Sequence, residues 1–159
     1  ASGSLLAMMA LCQAIAALLL PMLARGSNDL RPWLWLTLAM QAAGFAGLAL
    51  WLEAAPVVWA ILLGAGLGGC FALSMIVALD HLPDPAQAGA LSALMQGGGF
   101  LIAAIPPWIL AVLHEASGGF GAGWLLHLGS VCLVALLVAR FAPRGYGCAM
   151  NPLRVPMAA

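Results

Sequence analysis

Five long stretches without a charged residue constrain this chain more than any other feature. They cover residues 1–24, 32–52, 54–79, 85–113 and 116–139. A helix rises about 1.5 Å per residue, so roughly 20 apolar residues cross a hydrocarbon layer about 30 Å thick. Only a structure that closes its backbone hydrogen bonds internally survives there. Every one of the five runs is long enough, so the expected fold is all-α: a polytopic transmembrane bundle of five spanning helices. Composition agrees, with 65% apolar residues, 6% charged and a mean hydropathy of +1.09 over 159 residues. That balance excludes a water-soluble monomer and excludes disorder, which needs weak hydrophobicity and strong net charge. There is no Lys, and five Arg balance five acids, so no basic face exists for a polyphosphate backbone and nucleic acid is excluded as a partner.

The charged residues mark the turns between spans. We expect spans at about 4–24, 33–52, 57–79, 89–113 and 123–141, forming a five-helix unit over 1–142, with a tail at 143–159. The first run opens on Ala1, without an initial Met or a positive start, so it reads as a spanning helix and no cleavable targeting segment is expected. All five arginines fall on one side: Arg25 and Arg31 in the first connection, Arg140, Arg144 and Arg154 after the last span. The second and fourth connections carry Glu53 and Glu115 and no arginine. Because Arg in short loops is retained in the cytoplasm, the C-terminus is expected inside and the N-terminus of the chain outside. An odd number of spans with this orientation suits a piece of a longer protein. Between spans three and four, Asp84, Pro85 and Gln87 have the spacing of a helix start with a capping box.

Few residues suggest chemistry. Gly64-Ala65-Gly66-Leu67-Gly68-Gly69 has the spacing of a dinucleotide fingerprint, but that motif needs a soluble strand–turn–helix unit with an acid about 20 positions on. Inside an uncharged span it reads as small-xxx-small packing, Gly64 with Gly68 and Ala65 with Gly69. Cys12, Cys70, Cys132 and Cys148 lack a CxxC spacing, and His81, His114 and His127 are scattered, so neither a metal site nor a cofactor is expected. His127, inside the last span, is weighed as either a functional intramembrane group or an interfacial histidine. Ser74 has no His or acid one helical turn away, which leaves no nucleophile–base pair; no catalytic residue and no enzyme activity are expected. A passive pore would need a polar or charged ring that the sequence does not display.

The polar residues inside the spans are Gln13, Thr37, Gln41, Ser74, Ser92 and Gln96, and they should face the bundle or a wet cavity. A short internal echo pairs Ala10-Leu11-Cys12-Gln13 and Pro21 with Ala93-Leu94-Met95-Gln96 and Pro106. Spans one and four cross in opposite directions, and inverted repeats with polar, Gly/Pro-interrupted helices mark the midplane site of secondary transporters. Span four holds both Gly97-Gly98-Gly99 and Pro106-Pro107. The prolines free the carbonyls of Ile102 and Ala103, so a kinked helix is expected, with these five residues as its hinge. A moving, cavity-lining helix and tight static packing both fit the glycines.

Ser2-Gly3-Ser4-Leu5-Leu6-Ala7, Gly66-Leu67-Gly68-Gly69-Cys70-Phe71, Leu79-Asp80-His81, Met95-Gln96-Gly97-Gly98-Gly99-Phe100 and Arg140-Phe141-Ala142-Pro143 together resemble the cyanate transporter family of the major facilitator superfamily. The likeness runs along nearly the whole chain. Such transporters have twelve spans in two six-helix halves, and the chain resembles the last five, in the C-terminal half. By that resemblance Arg25, Asp29 and Arg31 are similar to the degenerate charged loop of a facilitator half. The resemblance implies that spans one, three and four line a central cavity, with Gln13, Ser74 and Gln96 as substrate-binding residues. It also implies alternating access for a small solute such as the cyanate anion across a bacterial inner membrane. The expected partners are the lipid bilayer, the solute, and the missing N-terminal half or another copy of the chain. No Lys or Arg stands within a span, so a positive partner for an anion must come from elsewhere. The alternative is a non-transporting bundle, an assembly or folding unit that needs a partner half.

Overall fold

A computed structural model describes residues 2–80, 82 and 84–140. His81, Cys148, the exit segment beyond Arg140 and the tail at 143–159 lie outside the described residues, so the expectations placed on them stay as sequence readings. The described residues form six helices and no strand: α1 (Ser2–Leu23), α2 (Arg31–Leu50), α3 (Pro56–Asp80), α4 (Pro85–Ala103), α5 (Ile105–Ser117) and α6 (Gly121–Val138). Five helical stretches are long and apolar enough to cross a membrane, with α4 and α5 together making one of 33 residues. The all-helical, five-span architecture expected from the uncharged runs is therefore present.

Local chemistry sets the helix ends. Gly26, at φ +84°, turns the chain after α1, a conformation open to glycine at no steric cost. Asp29 then accepts the Arg31 backbone N–H at 2.9 Å, and Pro32 occupies the first turn of α2, where a missing N–H costs nothing. Asp84 caps α4 by accepting from the Ala86 N–H at 3.1 Å, with Pro85 at the first position. At the far end of α5, left-handed Gly118 donates its N–H to the His114 carbonyl at 2.9 Å, a helix stop that suits glycine.

Helix α3 is the centre of the bundle, packed on α1, α2 and α4, while α2 also packs on α6. Glycine makes this close approach feasible. A methyl group on Gly64 or Gly68 would land on the backbone of Met9 or Gln13 in α1, and one on Gly66 would meet Thr37 and Gln41 in α2. With no hydrophobic effect between helices in lipid, such backbone proximity supplies the packing energy. The small-xxx-small reading of Gly64 and Gly68 thus matches the geometry. Around it lies a core that includes Leu34, Leu38, Phe45, Leu63, Leu73, Val77 and Val131. Large apolar side chains such as Leu18, Leu94, Leu101 and Trp108 stay exposed, which in a hydrocarbon solvent carries no penalty.

Polar side chains fasten the α2 layer. Gln41, 5% exposed, donates from Nε2 to the Gly66 carbonyl at 3.2 Å. Thr37, fully buried, returns its hydroxyl to the Leu34 carbonyl at 2.7 Å. Trp35 donates to the Ala135 carbonyl of α6 at 3.1 Å. Trp33 and Trp35 stand near the arginine end, Trp51, Trp59 and Trp124 near the opposite end, and Trp108 within the fourth span; the first five follow the two-belt distribution of indoles at membrane interfaces.

Candidate functional site

Two helices of different character meet at the site. On α3, Phe71, Ser74 and Met75 recur at helical spacing and share one face; on α4, Gln96, Gly99 and Ala103 do the same. The two faces enclose an open groove of about 260 Å³, which Met95 and Phe100 also line. Its walls are mainly apolar and sulfur-bearing. Polar side-chain groups enter it at two places, the Ser74 hydroxyl and the Gln96 amide. The Ser74 hydroxyl donates to the Phe71 carbonyl at 2.8 Å, so its proton is committed within α3 while its lone pairs face outward. Gln96 is exposed along α4, leaving an amide donor and acceptor free to turn toward a solute.

The break in the fourth span lies at the rim of this groove. Helix α4 ends at Ala103, Ala104 is a turn residue, and α5 begins at Ile105 with its prolines in the first turn. Pro106 and Pro107 lack the N–H groups that would close onto Ile102 and Ala103 in a continuous helix. Ala104 turns its own N–H back onto the carbonyls of Phe100 and Ile102. The Ala103 carbonyl has no helical donor to receive, and Ala103 lines the groove.

Of the three residues proposed for solute contact, Ser74 and Gln96 are brought together and Gln13 is not. The backbone of Gln13 abuts Gly68 on another flank of α3 and its side chain is exposed on α1. Gly97, Gly98 and Gly99 have open space where a methyl group would stand, unlike the packed glycines of α3. Gln41 is consumed by its bond to α3, and His127 by a 2.9 Å contact between Nδ1 and the Gly123 carbonyl beside the Phe45 ring. His114 stacks on Phe120 at 4.2 Å near the α5–α6 turn. Phe71, Met75 and Met95 were not anticipated as lining residues. Their spacing around Ser74 and Gln96 was the available signal, but bulky apolar residues cover every face of these helices, so spacing alone does not choose one.

At the arginine end, Arg31 pairs with Asp29 through a 2.7 Å contact and reaches the Ala139 carbonyl at the end of α6, at 3.4 Å. The guanidinium beside Asp29 holds its carboxyl below the usual aspartate range, first through the side-chain hydrogen bond and then through the backbone one. This cluster ties the first connection to the last helix.

A five-span helical bundle with a glycine-packed centre and an uncharged groove beside a broken helix defines a multi-pass membrane protein. The sequence is 48% identical over 145 residues to the cyanate transport protein CynX of Escherichia coli, a match covering 89% of this chain and 37% of that protein. It is 31% identical over 140 residues to a 2-nitroimidazole transporter of the same bacterium, covering 88% of this chain and 34% of the relative. The chain belongs to the cyanate transporter family of the major facilitator superfamily. It spans about a third of the length of these curated relatives. No family model matches the sequence. No solved structure matches it either. Both relatives are named for transport rather than for a reaction.

Proposed function

We propose that this chain is the C-terminal part of a secondary transporter that moves a small solute, cyanate or a similar small anion, across a bacterial inner membrane by alternating access. The observation that carries this reading is the 48% identity to a cyanate transport protein over 89% of the chain. The groove supports it. Ser74 and Gln96 place uncharged polar groups in an apolar wall next to a helix break, the combination expected of a midplane site built on discontinuous helices. In this reading Gly97, Gly98 and Gly99 leave α4 unobstructed while Pro106 and Pro107 localise its bend. Gln13, outside the groove on α1, faces the part of the transporter that this chain does not contain. The arginine end lies in the cytoplasm and the Glu53 and Glu115 connections lie outside.

One bundle cannot rock against itself, and the chain covers 37% of its cyanate-transporting relative. That coverage favours a second reading of the chain in isolation: a folding and assembly unit that transports only with its partner helices. Both are tested by radiolabelled cyanate uptake into proteoliposomes holding the chain alone or the chain with the remaining helices. Saturable uptake only in the combined vesicles is the expected result. Failure of the combined vesicles to exceed empty ones would overturn the cyanate assignment.

A further inference from the structure

We propose that Gly99 sets the shape of the groove between α3 and α4, and that the groove takes a flat, uncharged, single-ring solute carrying one hydrogen-bonding substituent. The inference rests on the transport reading only for its purpose, since such a ring would share the solute site with the small anion; the site itself follows from the size, walls and polar groups of the groove.

The groove is larger than a small anion needs. Its volume is about 260 Å³, whereas three heavy atoms at about 30 Å³ each, the share of one water in the liquid, fill roughly a third of that. A dry apolar cavity of about 150 Å³ already holds benzene, so one ring with a short substituent matches the space. The walls favour a ring as well. Phe71 and Phe100 bring aromatic surface, and Met75 and Met95 bring thioethers; both kinds of group attract π-systems beyond the area they bury. Gly99 supplies a flat floor. It lines the groove one turn after Gln96 and one turn before Ala103, and nothing lies within 4 Å of where its Cβ would stand, so a planar ring can approach the backbone there. Gly64, Gly66 and Gly68 of α3 have neighbouring backbone at the same place, so helix packing accounts for them and not for Gly99. The substituent has its partners in the Gln96 amide, which donates and accepts, and in the Ser74 oxygen, whose proton is already given to Phe71 at 2.8 Å. A carboxamide on the ring suits both. No charged side chain lines the groove, and an ion buried without a partner is costly; an anion therefore needs a positive group from beyond this chain, whereas an uncharged ring does not.

The test is saturation-transfer NMR of benzamide with the chain in nanodiscs of deuterated lipid, with empty nanodiscs as background and helix content followed by circular dichroism. Saturable benzamide binding is expected, with cyclohexanecarboxamide, which is not flat, and acetamide, which has no ring, displacing it severalfold less well. Gly99→Leu is the decisive variant. A Cβ at position 99 meets open space, so helix content should hold while the added side chain takes the place of the ring and weakens binding about tenfold or more. Gln96→Ala, which removes the amide, should weaken it severalfold. Gly89→Leu, exposed near the start of α4 and outside the groove, should leave it unchanged. Absence of saturable binding by the helical wild-type chain, equal displacement by cyclohexanecarboxamide, or wild-type affinity in Gly99→Leu overturns the proposal. Cyanate uptake by the completed transporter is measured separately with and without benzamide. A raised KM for cyanate supports a shared site; uptake indifferent to benzamide overturns the sharing and leaves the transport reading intact, whereas benzamide binding without uptake of any anion leaves the groove and removes that reading.

Discussion

The glycines of α3 and α4 look alike in the sequence and do opposite things. Gly68 has the Gln13 backbone where a methyl group would go, and backbone cannot move aside cheaply, whereas Gly98 faces open space. Gly68→Ala should therefore destabilise the bundle by about 1–3 kcal/mol through overpacking. Gly98→Ala should leave it unchanged or raise stability by up to about 1 kcal/mol through helix propensity. Unfolding of both variants in mixed micelles by denaturing detergent checks the contrast. The Asp29–Arg31 pair gives a second residue-scale expectation. A carboxyl whose folded pKa is depressed adds stability above its unfolded value of about 3.9, and that stability is lost as pH falls through the lower folded pKa. The melting difference between wild type and Asp29→Asn should thus persist at pH 6 and close as the pH is taken below the ordinary aspartate range. A constant difference across that window would show that the pair contributes nothing through charge. The pair stands about one-third exposed, so the effect is small.

Between elements, the α2–α3 seam and the α4–α5 break are the informative joints. Gln41 binds the Gly66 carbonyl from a site that is 5% exposed, and hydrogen bonds between membrane helices average about 0.6 kcal/mol with a maximum near 1.7. Gln41→Ala should cost on that order, plus a cavity, while cyanate uptake per folded molecule stays unchanged; a selective loss of uptake would move Gln41 into the solute path. That the fourth span breaks was legible from Pro106 and Pro107, whose missing donors are a property of residue type. That the freed groups are carbonyls was legible too, but what borders them was not, because it depends on the packing that sets Ala103 at the α3 groove. Replacing Pro106 and Pro107 together by Ala should straighten the span, and spin-label distances between its two ends would lengthen as the kink is removed.

At the scale of the whole molecule, the chain spans about a third of the length of its curated relatives, and in the proposed reading the remaining helices complete the solute path. The α1 and α4 faces that carry Gln13 and Gln96 are both exposed in the isolated bundle, and the groove between α3 and α4 is open. In the completed transporter, Gln96→Ala should lower cyanate uptake about tenfold or more by removing the free amide from that groove, with insertion unaffected. Gln13→Ala tests whether the outer flank of α1 also faces the solute, and normal uptake there would confine the site to α3 and α4.

Fold class and span number were determined by the sequence alone, because hydrocarbon leaves a chain with so few charges one way to satisfy its backbone. The family resemblance was equally legible, since it rests on strings of residues and not on contacts. Tertiary structure decided the rest. It placed Gly64, Gly66 and Gly68 against neighbouring backbones and left Gly97, Gly98 and Gly99 bare. It also set Ser74 beside Gln96, sent Gln13 elsewhere and turned Gln41 into a strut. The physical reason is the solvent. Where lipid and protein interior are equally apolar, hydrophobic periodicity does not say which face of a helix turns inward, and only the close approach of backbones chooses it.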